Sequence, residues 1–447
     1  MQNQPHNKDM TGWRRSLAAY TDRHILQVLA LGFSSGLPLM LTYLTLSAWL
    51  ATAGIKRGAI GAFALVSSFY ALKFLWSPLI DRLPPPLPLG RRRGWGLTIQ
   101  IALVAAILAL GLSDPKRNLG TMAVLAGVVA FLSASQDIVI DAWRIEILPV
   151  DLQGPGAAMI QTGYRIGMLV AGAVALAIAA RFGWFAAYAT MAALLGVGML
   201  VFLFGPEPKV AVATPDHDRT RGWQGFEAWL STAVIGPFAD FMRRPFWFLI
   251  LLVILDYKLG EGMTGVMSTP LYIALGFTLN EIAVISKFFG VFSVIFGALL
   301  GGIVTVRFGL VRSLVLCGIL QSLGNLFFVL QAVGGHKVGY LALCVTAENI
   351  TGGMAGTALV SYISSLCSRE FTATQYALLA SCALLGRTVV GSTGGVLSEA
   401  IGWVPFFVLT TLASLPALLL LLWIERRGAR QSDRPRAVGS LASERNL

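Results

Sequence analysis

Runs of about 20 apolar residues recur from residue 24 to residue 424, and they leave little that the chain can be except helices across a lipid bilayer. A bilayer core of about 30 Å takes about 20 helical residues to cross, and inside it every backbone N–H and C=O must find its partner within the protein. Helices meet that demand locally. Twelve candidate spans fit the pattern, and 56% hydrophobic against 13% charged residues lies far from the composition of a soluble domain. The opening stretch, "MQNQPHNKDMTGWRRSLAAYTDRH", is polar, lacks the apolar core and cleavage site of a secretory signal, and is expected to stay in place.

A net charge of +12 raises the question of nucleic acid. Sorting the basic residues by loop answers it. Arg14, Arg15, Arg23, Arg82, Arg91, Arg92, Arg93, Arg243, Arg244 and the residues from Arg426 onward fall on the side that holds both termini. The other side has Lys56, Arg57, Lys116, Arg117, Arg181 and Lys337. That asymmetry is the positive-inside rule, so both termini are expected in the cytoplasm and the charge encodes topology, with no nucleic-acid partner. Cys317, Cys344, Cys367 and Cys382 have no metal-ligand or CxxC spacing and read as small buried hydrophobes. No metal or cofactor is expected.

The longest hydrophilic stretch divides the spans six and six. This gives a cytoplasmic N-terminal segment (1–23), a first six-helix bundle (24–204), a cytoplasmic linker (205–245), a second bundle (246–424) and a basic cytoplasmic tail (425–447). Residues 223–242 of the linker alternate aromatic and polar side chains, as an interfacial helix or a solvated linker would. Residues 156–184 laid over 375–403 align Gly167 with Gly386, Gly172 with Gly391 and Gly183-Trp184 with Gly402-Trp403. "ASQDI" (134–138) likewise falls on "TAENI" (346–350). Two parallel six-helix repeats are the signature of the major facilitator architecture, an all-α membrane fold that binds substrate near mid-membrane between its halves. The stretch "SPLIDRLPPPLPLGRRRGW" resembles the Asp-Arg…Gly-Arg-Arg loop of that superfamily, so Asp81, Arg82, Arg91 and Arg92 are expected to gate. The second half keeps Arg307, Gly309 and Arg312 but has Val306 in place of the aspartate.

Ionisable groups at membrane depth are costly, and each calls for a partner or a pathway. The acids are Asp137, Asp141, Asp256, Glu261 and Glu348, and the bases Lys73, Arg165, Lys258, Lys287 and Arg387. "SASQDIVIDAWRIEILP" (133–149) sets Asp137 and Asp141 one helical turn apart. Counted back from Pro149 at 1.5 Å per residue, Asp141 lies about 12 Å deep and Asp137 about 18 Å, while Arg165 on the returning helix lies about 16 Å deep. One guanidinium level with both carboxylates cannot neutralise both. The deeper acid then becomes a place to carry a proton, with Asp141 its structural partner or, with Arg144, part of a gate. A static Asp-Arg-Asp clamp is the competing reading. Lys258 has Asp256 and Glu261 nearby in sequence, whereas Lys73 and Lys287 have no local carboxylate and are candidates to grip an anion. Gln136 is expected to face substrate, and Tyr164 either to stack on a sugar or to pack.

"GFSSGLPLMLTYLTLSAWL", "KFLWSPLIDR", "GRRRGW", "SASQDIVIDAWR", "GAAMIQTGYRIGMLVAG", "YKLGEGMTG", "GILQSLGN", "ENITGGMAGTA" and "FTATQYALLA" closely resemble, in this order, the muropeptide permease (AmpG) family. The related acetyl-coenzyme A transporters share the Gln-Asp-x-x-x-Asp stretch but not the proline-rich loop. The resemblance implies a bacterial inner-membrane importer, expected to act as a monomer. It would bring N-acetylglucosaminyl-1,6-anhydro-N-acetylmuramyl peptides from cell-wall turnover into the cytoplasm together with protons. It also implies roles for Gln136, Asp137, Asp141 and Lys73. The substrate-binding set is then Lys73, Gln136, Tyr164, Lys258, Lys287, Glu348 and Arg387, and the proton-coupling set Asp137, Asp141 and Arg165. The alternative is a facilitator for another anionic metabolite, such as a coenzyme A thioester or a nucleotide-sugar. A non-transporting sensor and an enzyme acting on lipid-linked sugars are the other classes open to such a chain. His6, His24, His217 and His336 all lie in loops or at span edges, and no catalytic constellation is evident.

Overall fold

In a computed structural model of the protein, residues 12–209 and 235–432 are described. Ten helices are long and apolar enough to cross a membrane. In the first half these are α1 (Arg23–Thr52), α2 (Gly58–Leu75, running on into Ser77–Arg82), α3 (Arg91–Leu112), α4 (Leu119–Ile147), α5 (Val150–Phe182) and α6 (Trp184–Phe204). In the second half α7 is interrupted (Trp247–Asp256, then Leu259–Ala274), α8 ends in Val291–Phe308 after Leu279–Ile285, and α9 is Leu310–Gly334. The bundle finishes with α10 (Val338–Ser365), α11 (Thr372–Ile401) and α12 (Trp403–Arg427). With α7 and α10 added to those ten, twelve spans are seen among the described residues. Of the linker stretch 223–242, residues 223–234 lie outside the described residues, and Gly236–Met242 forms a short helix.

The repeat is visible in backbone geometry. Gly183 and Gly402, each followed by a Trp that starts the next helix, have φ of +85° and +81°, and Gly90 and Gly309, after α2 and α8, have +98° and +81°. Only glycine takes this conformation without strain, so each half turns its chain with the same device.

Small residues let the helices approach. A Cβ at Gly163 of α5 would run into the Leu29 carbonyl of α1, and one at Gly297 of α8 into the Ile350 carbonyl of α10. In a bilayer no hydrophobic force pulls helices together, so backbone-to-backbone packing of this kind supplies much of the association.

Four apolar clusters fill the bundle, and they divide unequally. At the end opposite the termini, Leu41, Trp49, Leu110 and Tyr188 pack within the first half, and Tyr272, Phe277, Phe328 and Phe407 within the second. At the end carrying the termini, the first-half cluster takes in Ala373 and Ala377 of α11, and the second-half cluster takes in Ile145 of α4. The halves therefore share a core at the terminal end only. The N-terminal stretch adds to this closure. Tyr20 donates its hydroxyl to the Leu299 carbonyl at 2.7 Å, and Trp13 stands edge-on to Phe308 at 6.5 Å.

Gly163→Val should force α1 and α5 apart. A loss of about 1–3 kcal/mol is expected from the overpacking, read as a lower unfolding midpoint of the purified protein in detergent.

Candidate functional site

The two acids of α4 have different surroundings. Asp137 accepts the Ser35 hydroxyl of α1 at 2.5 Å, and Lys73, Asp141, Tyr70 and Tyr164 lie within electrostatic reach of its carboxylate. Asp141 pairs with Lys73 of α2 at 3.7 Å and with Arg144, one turn along its own helix, also at 3.7 Å. The single guanidinium expected between them is not there. Among the described residues Arg165 has no ion pair with either acid, and Lys73, which has no carboxylate nearby in sequence, is the cation beside both. The reason lies in the packing of α5. Gly163 and Gly167 face α1, which turns Gln161 and Arg165, four residues apart, toward the seam between the halves.

Gln136 also departs from expectation. It is fully buried, and its amide donates to the Ser34 carbonyl at 3.1 Å. Pro38 lies four residues beyond Ser34 within α1 and has no N–H to give that carbonyl. Gln136 supplies the missing donor from α4.

On the seam lies a cavity of about 340 Å³. Gln161 and Arg165 line it from α5, Lys258 and Glu261 from α7, Glu348 and Asn349 from α10, and Arg387 from α11. Lys258 stands where α7 is interrupted, and its ammonium bonds to Glu261 and to the Gly352 carbonyl. Glu261 also receives the Gln321 amide and pairs with Arg387 at 3.6 Å. Asp256, two residues before Lys258, accepts the Ala417 N–H at 2.8 Å and so caps the part of α12 that restarts at Leu415, leaving Lys258 to Glu261. The side chain of Lys287 lies outside the described residues.

At the terminal end a buried network ties three elements together. Arg92, with no exposed surface, pairs with Asp81 at 2.7 Å and Glu146 at 2.5 Å, and Arg91 pairs with Glu146 at 3.0 Å. Two cations facing two anions make the group neutral, which is what lets it be buried. Asp81 also reaches across the seam, accepting the N–H of Thr374 at 2.9 Å and its hydroxyl at 2.8 Å, at the start of α11. A carboxylate there meets the positive end of the helix dipole. Arg82 pairs with Glu370 at 3.3 Å, Arg144 donates to Ser364 at 3.0 Å, and Gln161 donates to Thr357 at 3.1 Å.

Sequence reading missed Glu146, Glu207, Ser35, Thr374 and Gln321. Glu146 stands at the end of α4 beside a basic loop, where an acid is ordinarily solvated. Glu207 accepts the backbone N–H groups of Arg92 and Arg93 at 2.8 and 3.0 Å, capping α3 from the far side of the half. No local pattern marks such a partner.

Two helical halves joined at one end around a charged cavity define a multi-pass membrane transporter of small molecules. The model of the Major Facilitator Superfamily matches residues 28–290 and 257–445. The anhydromuropeptide permease of Escherichia coli (strain K12) is 43% identical over 397 residues, covering 88% of this chain and 78% of that protein. The putative transporter AmpG 4 of Rickettsia felis is 34% identical over 412 residues, covering 91% and 98%. The crystal structure of the E. coli fucose:proton symporter FucP shares the fold with a TM-score of 0.64 at 14% identity, over 89% of this chain and 98% of that one. That of the human organic anion transporter MFSD10 does so with 0.63 at 16%, over 92% and 100%. The chain belongs to the Major Facilitator Superfamily and, within it, to the muropeptide permease (AmpG) family, a family of transporters and not of enzymes.

Asp81→Ala leaves Arg92 short of a counter-charge and Thr374 without its acceptor. We expect a stability loss of about 3–5 kcal/mol in detergent unfolding. Cys367, at the terminal end of the seam, should also react faster with a water-soluble maleimide in the variant.

Proposed function

We propose that the protein imports anhydromuropeptides across the bacterial inner membrane together with protons, working as a monomer whose moving units are residues 24–204 and 246–424. The observation that carries this is the cavity on the seam, where Arg165 of one half faces Lys258 and Arg387 of the other, in a chain that is 43% identical to an anhydromuropeptide permease. The carboxylates of a sugar-peptide find cations from both halves there, so binding favours states in which the halves cooperate around it.

The basic terminal end faces the cytoplasm in this reading, and its closed network leaves the cavity to be reached from the periplasmic side. Lys73 takes the part that depth counting gave to Arg165. With Asp137 ionised, Lys73 is shared between two carboxylates. A proton on Asp137 leaves Lys73 to Asp141, and Ser35 can hold the protonated acid through the same short contact. The site becomes one charge more positive, which favours the anion, so proton and substrate each lower the cost of the other. Transport then requires Asp81, Arg82 and Arg144 to part from Thr374, Glu370 and Ser364 at the cytoplasmic end, while Arg91 and Arg92 hold Asp81 in place within the first half.

Asp137→Asn should still bind substrate but should no longer concentrate it when a pH gradient is imposed on vesicles. The outcome that sinks the assignment is accumulation by the variant equal to that of the native protein.

A further inference from the structure

The cavity holds one acid whose carboxylate has no hydrogen bond or ion pair among the described residues. Glu261 is fully committed to Lys258, Arg387 and Gln321. Glu348 lines the same cavity from α10, and among the described residues its carboxylate has no hydrogen bond or ion pair. Glu261, Arg387 and Lys258 all lie within its electrostatic reach, so its position is set in a mixed field and not in a purely cationic one. An ionised group at this depth is costly unless something answers it.

Glu348 shares its wall of the cavity with the cations. Gly352 and Gly356 follow Glu348 at intervals of four residues, on one face of α10, and both line the cavity. The absence of side chains there lets groups of the facing helices close on α10: Lys258 donates to the Gly352 carbonyl, and the Gln161 side chain lies against Gly356. A Cβ at Gly356 would come to 3.8 Å from the Lys258 ammonium and 3.0 Å from the Gln161 side-chain oxygen, so this face of α10 is held close to both. Arg165 and Arg387 complete the lining. The wall thus carries one open acid together with three bases, Arg165 from the first half and Lys258 and Arg387 from the second.

We propose that Glu348 receives a free primary ammonium of the substrate while Arg165 and Arg387 receive its carboxylates, so that the site selects a zwitterionic peptide arm. This rests on the import reading above and adds to it the chemistry by which the peptide, as distinct from the sugar, is recognised. A carboxylate left without its ammonium partner is a desolvated charge, so a ligand lacking that group should bind less well by a wide margin.

The test uses the purified full-length protein and two probes. One is an anhydromuropeptide whose stem peptide carries a free side-chain amine, and the other is the same molecule acetylated at that amine. By calorimetry the native protein should bind the free amine about tenfold or more tightly. In Glu348→Gln the ratio of the two affinities should fall to near one, whatever happens to either affinity alone, and Glu348→Asp should recover part of it. Equal binding of the two probes by the native protein overturns the proposal, and this needs no variant to fold. A Glu348→Gln protein that weakens both probes equally and keeps the native ratio also overturns it, and would make Glu348 a proton site or a structural group. Uptake of either probe by native vesicles bears on the import reading separately, because absent uptake with a native preference for the free amine would overturn import alone.

Discussion

Inside a bilayer no water is present to repair an unmet polar group, and this one constraint accounts for most of the side-chain pairing in the protein. Pro38 withholds an N–H from the Ser34 carbonyl, and Gln136 crosses from the neighbouring helix to replace it. α12 breaks at Ser414 and restarts at Leu415, which frees an N–H at Ala417, and Asp256 accepts it. Arg92 is sealed from solvent, so it must have both Asp81 and Glu146, and Arg91 must then balance the second acid. These residues read in sequence as functional charges or polar contacts. Several of them hold the scaffold.

The same constraint separates the two ends of the seam. At the terminal end the halves share apolar cores, and Asp81, Arg82 and Arg144 cross between them to Thr374, Glu370 and Ser364. At the other end the apolar clusters close within each half. A closed end built partly from charged pairs can open into water with little loss, because the groups exposed are then solvated. A wholly apolar closure would pay for every Å² exposed. Mixed composition suits a contact that has to be made and broken.

Much of the fold was legible in the chain. Apolar runs gave the spans, and the Gly-Trp pairs at 183–184 and 402–403 marked repeated turns that the structure forms with nearly equal backbone angles. The charged residues at membrane depth pointed to the region that became the cavity, with Arg165, Lys258, Glu348 and Arg387 all on its wall. Partner choice was not legible. Glu207 reaches the start of α3 from beyond α6, and Gln321 reaches Glu261 from α9, across separations in sequence that no local pattern spans.

Sequence by itself determined the spacing of the charges along each helix, because helical rise is fixed and the span ends are marked by prolines, glycines and basic residues. It also determined the chain's class, since only helices satisfy so many apolar runs in lipid. Tertiary structure alone decided the direction in which each charge looks. Depth placed Arg165 level with Asp137 and Asp141, but the glycines of α5 bind its other face to α1 and rotate the guanidinium into the seam, leaving the acids to Lys73. Rotation about a helix axis is set by which surfaces pack most closely, and that is a property of two helices together and not of either sequence alone.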